Sequence, residues 1–123
     1  MIKEYFDSSK RILFVTISGS TSIEDLNQWI KSINFDKAPD SYLKIITAAR
    51  DARYNFKAED SRATDQPLEE LCKRYFRVRA AVIHKNPKET ALSMVLRNRL
   101  AMKNYTQHIF STREAAEIWI TNF

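Results

Sequence analysis

Four times along this chain a short apolar run gives way to a segment whose apolar residues recur at helical spacing. The runs are "RILFVTI", "YLKIITA", "VRAAVIH" and "TQHIF", and no other feature narrows the possible folds as much. An opening stretch, "IKEYF", precedes the first run across the polar turn sequence "DSSK", so residues 2–6 and 11–18 are expected to pair as a β-hairpin. Lys3 and Glu4 among apolar neighbours suit an edge strand, whereas "RILFVTI" is apolar on both faces and suits a central one.

The helical segments carry their own punctuation. In "TSIEDLNQWIKSINF" Thr21 and Glu24 have capping-box spacing, and Ile23, Leu26, Ile30 and Ile33 share one face with Trp29 at its margin. "DKAPDS", with Pro39, reads as a loop. The stretch from Arg50 to Thr64 has no clean period and is a candidate functional loop. A helix then starts with Thr64 or Asp65 as cap, has Pro67 in its first turn, and turns Leu68, Leu71, Cys72 and Tyr75 inward.

After "VRAAVIH", Asn86 caps a helix with Pro87 as its first residue and Glu89 three after the cap, running to about Lys103. Leu92, Val95, Leu96, Leu100 and Met102 are expected inward, Arg99 snorkels over the same stripe, and Met94 and Ala101 form a small outward apolar spot. "STREAAEIWITNF" gives a last helix, with Ser111 and Glu114 as its capping box and Ala115, Ile118 and Trp119 buried. The order is ββαβαβαβα, which implies right-handed crossovers. An α/β domain over residues 1–123 is expected, with a mixed, mostly parallel five-stranded sheet, one antiparallel edge strand and about four helices.

Composition removes several chemistries. A single glycine, Gly19, cannot supply a P-loop or a dinucleotide-binding turn, and no G-x-S-x-G elbow is present. Two histidines and one cysteine lie far apart in sequence, so no metal site and no cofactor are expected. Cys72 reads as a buried, inert thiol of a reducing compartment. Charged residues near the N-terminus and the lack of a long apolar run point to a cytoplasmic protein with no transmembrane segment. The formal net charge is +5, but Arg50 and Arg53, Lys73 to Arg79, and Arg97 to Lys103 are separated by acids, so nucleic acid is an unlikely partner on this distribution.

Ligands of open α/β sheets bind beyond the carboxyl ends of the strands, where Arg50, Asp51 and His84 fall. A His beside an Asp can do acid–base work, which makes an enzyme site there one alternative; a strand-end histidine bonded to backbone is the other.

The element order, the serine ahead of the second helix and the closing "IFSTREAAEIWI" resemble the STAS superfamily of sulfate-transporter and anti-sigma-antagonist domains. More closely, "YLKIITAARDA", "VRAAVIH" and "FSTREAAEIWI" resemble its stand-alone SpoIIAA-like branch over nearly the whole chain. The resemblance implies a non-catalytic regulatory or protein-interaction module, and it makes Asp60 and Ser61 the match to a phosphorylated Asp-Ser motif. Arg62 and Ala63 stand where that motif carries a second hydroxyl residue and a glycine. A phosphate there could switch an interface; a solvated turn serine is the alternative for Ser61. Lipid-binding domains share this fold family, and Tyr54 and Phe56 in the 50–64 loop could serve as a lid over a small apolar ligand. The partner surface is expected at Arg50, Asp51, Arg53, Tyr54, Phe56 and His84. Another protein is the expected partner, and a homodimer is a further possibility.

Overall fold

The computed structural model describes residues 1–33, 42–99 and 102–122. Pro39, Leu100, Ala101 and the side chain of Arg99, each given a place above, lie outside that description. Strands β1 (Ile2–Asp7), β2 (Ile12–Thr21), β3 (Tyr42–Tyr54), β4 (Arg77–Ile83) and β5 (Tyr105–Phe110) form one sheet in the order β1-β2-β3-β4-β5. β1 is antiparallel to β2, and all other pairings are parallel. The α/β class and the ββαβαβαβα order stand as the sequence implies.

Asp7 closes the hairpin turn by accepting from the Ser9 amide and hydroxyl and from the Lys10 amide, and Arg11 takes the positive φ (58°) that brings the chain back. Strand alternation then sorts the side chains. Leu13, Val15, Ile17, Leu43, Ile45, Val78 and Ala80 meet α1 (Ile23–Ser32), α2 (Asp65–Lys73) and partly buried Leu92 and Leu96 of α3 (Pro87–Arg99) on one face. Ile12, Phe14, Ile46, Ala81 and Ile83 meet only α4 (Arg113–Thr121) on the other. Three helices on one side and one on the other leave part of the second face open.

Several local expectations are corrected. β3 does not stop near Ala49: it runs to Tyr54, because its second half pairs with the end of β2, Ser18 with Asp51 through Thr21 with Tyr54, after a bulge. The bulge puts Arg50 and Asp51 in succession into solvent and hides the strand's period. The remainder of the expected irregular loop contains a 3-10 helix, Ala58–Thr64. The cap of α1 is Ser22 with Asp25, one residue after the expected pair, with both capping-box bonds made. The cap of α4 is Thr112, accepting from the Ala115 amide at 3.2 Å, so the helix buries Ala116 and Ile120 and leaves Ile118 exposed.

α3 departs furthest from its expected pattern. Glu89 and Ser93 are buried beside half-buried Leu92 and Leu96, while Met94 and Val95 are exposed, so the face toward the sheet mixes polar with apolar side chains and part of the apolar set lies outward. Val95 was expected inside. Among the described residues no helix is long and apolar enough to cross a membrane.

Candidate functional site

The carboxyl ends of β3 and β4 meet the start of α3, and a polar cluster fills the space between them. Tyr54, the last residue of β3, is buried, stacks on Phe56 (5.1 Å between ring centres) and sets its edge against His84 (5.6 Å). Its backbone is clasped by α3: the amide donates to Glu89 Oε2 at 3.2 Å and the carbonyl accepts from Lys88 Nζ at 2.7 Å. A buried carboxylate needs such donors to offset its lost hydration.

His84 is 3% exposed, and its Nε2 lies 2.7 Å from the Ser93 hydroxyl. Nδ1 closes no hydrogen bond. Burial pushes the imidazole pKa below its ordinary value, opposed by the nearby Ala49 carbonyl and Glu89, so the ring is neutral near pH 7. Burial likewise pushes the Tyr54 phenol up, opposed by the Ser93 hydroxyl. Gln107 extends the cluster, accepting from the Tyr105 hydroxyl at 2.7 Å. The Cys72 thiol is buried and raised to about 11, so it is protonated and inert at neutral pH.

The expected site residues therefore divide. Tyr54 and His84 come together inside. Asp51 stays at the rim, 3.5 Å from Lys85 Nζ in solvent, and Arg50 and Arg53 are also exposed. No hydrogen bond or ion pair among the described residues joins Arg50, Asp51 and His84 into one crevice. Tyr54 is a fastened core residue and Phe56 is half-buried against it, so neither stands as a free lid.

Ser61 is 3% exposed, with its hydroxyl donating to the Ala58 carbonyl. The solvated-turn reading of this serine is corrected accordingly. Asp60 is exposed and accepts from the Lys57 amide at 2.9 Å, holding the first turn of the 3-10 helix. A kinase would meet Asp60 before it met Ser61.

Two concavities adjoin the cluster. Beneath the helices lies a cavity of about 100 Å³, apolar at Ile17, Ile45, Leu71 and Leu96 and polar at Thr47, Tyr54, Ser93 and Gln107. Outside, Asn55 to Asp60 and the outer side of α3 frame an open groove of about 570 Å³, with Phe56, Ala91, Leu92 and Val95 in its wall and Lys57 and Lys88 at its rim. Among the described residues no group of three His, Cys, Asp or Glu could hold a metal ion.

Glu89, Ser93 and Gln107 were missed as interior groups. The signal was present in α3, where Glu89 and Ser93 stand four apart beside Leu92 and Leu96 and so share their face. No protein-family model, no curated protein and no solved structure matches the chain.

Proposed function

We propose that the chain is a non-catalytic interaction or regulatory module of the STAS-like type, which holds a partner protein in the groove between Asn55–Asp60 and α3. The observation behind this reading is the mixed sorting of α3. α3 buries Glu89 and Ser93 yet presents Ala91, Met94 and Val95 to solvent, against the usual sorting of a surface helix. Half-buried Phe56 and Leu92 continue that apolar strip. Lys57 at its rim suits a partner helix with an apolar face and a flanking carboxylate. A Ser61 phospho-switch belongs to the same reading in a form where the 3-10 helix has opened, since the hydroxyl is otherwise enclosed.

The test is site-specific photo-crosslinking in source cells, with the crosslinker at Val95 or, as a control, at Ile118 on α4, followed by affinity measurement with the purified partner. One protein should be captured from Val95 alone, and Ala91→Glu, exposed in the groove wall, should weaken its binding at least tenfold with the fold unchanged. Equal capture from both positions, or full affinity in the variant, would sink the groove.

A second reading, a small-molecule site, is supported by the interior cavity. At about 100 Å³ it is well under the roughly 300 to 1,000 Å³ of ordinary ligand pockets, and so would suit a neutral molecule of a few heavy atoms rather than a lipid chain. The enzyme reading at Arg50, Asp51 and His84 draws no comparable support, because Asp51 is committed to Lys85 outside while His84 faces inward.

A further inference from the structure

At the opposite, amino-terminal end of the parallel strands, the open part of the second sheet face gathers basic residues that are remote in sequence. Lys44 of β3 stands directly across from Arg79 of β4, and Tyr42 across from Arg77. Because Ile46 and Ala81 face α4, strand alternation puts Lys44, Arg77 and Arg79 on that same side, beyond the apolar residues it covers. Asn104, whose carbonyl accepts from the Val78 amide at 2.8 Å, brings the exposed Lys103 alongside.

Two aromatic rings lie among these cations. Phe76 is 62% exposed and Tyr42 44%, their rings meeting edge to face at 5.7 Å, and the Arg77 guanidinium lies over the Phe76 ring. The carboxylate of β3, Asp51, is at the far end of the strand, and β4 and β5 contain none. Large exposed aromatics cost solubility, and two of them meet on this patch. The Arg79 guanidinium is held below its ordinary pKa by burial and by Arg77, as expected where positive charge is concentrated.

We propose that this corner of the sheet binds single-stranded nucleic acid, with Tyr42 and Phe76 stacking on bases and Lys44, Arg77 and Lys103 receiving phosphates. Flat aromatic faces on a sheet flanked by cations match what a strand of bases and phosphates offers. An acidic peptide would satisfy the charges and leave the two rings without a counterpart. The net charge of +5 favours encounter with such a polyanion. This surface is separate from the α3 groove, so either proposal can fail alone.

The test is fluorescence anisotropy of a labelled ten-nucleotide oligouridine titrated with the full chain. Binding should weaken with salt, with a log–log slope of about −2 for three phosphate contacts. Phe76→Ala should raise Kd about tenfold through lost stacking. Arg77→Gln should raise Kd and make the slope shallower by about 0.7. Both residues are exposed, so both variants should keep the wild-type melting temperature. Arg53→Gln removes one exposed charge from the far end of β3 and should change nothing. The proposal is overturned by an absence of binding at low salt. It is equally overturned if Arg53→Gln acts as strongly as Arg77→Gln, if Phe76→Ala is silent, or if polyglutamate or anionic vesicles bind as tightly as the oligonucleotide.

Discussion

At the carboxyl ends of the strands polar groups are tied together inside: Lys88 and Glu89 clasp the Tyr54 backbone and Ser93 meets His84, while Asp51 meets Lys85 at the rim. At the amino ends Lys44, Arg77 and Arg79 share one face around two exposed rings. Both ends are built from the same kinds of residue. What separates them is exposure: the first end is fastened around the buried Tyr54 and His84, and the second presents its two rings to solvent.

The largest effect that would break this contrast is expected at Tyr54. Tyr54→Ala should cost about 3 to 5 kcal/mol in denaturant unfolding, because it empties a buried aromatic site between β3 and α3. A loss below about 1 kcal/mol would show that the carboxyl end is not fastened there. Ser93→Ala should cost about 1 to 3 kcal/mol by leaving His84 Nε2 buried without its partner.

The pH response sharpens the same end. The folded His84 pKa lies below the unfolded value of about 6.5, so the unfolded chain binds more protons in the window between them. Stability should therefore fall as pH drops from about 6.5 to the folded pKa and level off below it, with no contribution from this group above that window. His108 is also lowered by burial and by Arg97, but it is exposed and stacked on Trp119 at 4.6 Å. His84→Asn should remove most of the slope and His108→Gln little of it, measured by urea unfolding across pH 5 to 7.5. The smallest effect is expected at the other end. Arg77→Gln should leave stability within about 0.5 kcal/mol of wild type, since it removes a repelled charge from an exposed position.

The strand–helix order, the hairpin, the central place of β2 and the start of α3 at Pro87 were all legible in the sequence, because each rests on local periodicity or punctuation. What was not legible depends on pairing. "ARDARY" reads as polar and irregular, yet it is strand, because a bulge breaks its period and β2 supplies its hydrogen bonds from about thirty residues away. The caps of α1 and α4 fell one residue late, each with a second hydroxyl residue beside the expected one. In α4 the expected Trp119 packs on the core beside Ala116 and Ile120, and Ile118 is the expected residue that lies outside. Of the candidate site, His84 and Tyr54 were found, whereas Glu89 was read only as the residue three after the cap and Ser93 was given no role. The basic corner was invisible for a geometric reason: Lys44 and Arg79 are thirty-five positions apart in the chain and adjacent across two strands.

The strand order β1-β2-β3-β4-β5 also bears on how the molecule is made. Each strand pairs with the one synthesised just before it, so no strand has to insert between two already joined. A chain leaving the ribosome can form the hairpin first and then extend the sheet at a single growing edge. That keeps loop closures short for a largely parallel sheet, whose pairings are otherwise slow to form. At every stage one edge alone awaits its next strand, and that edge is the one the nascent chain is about to fill.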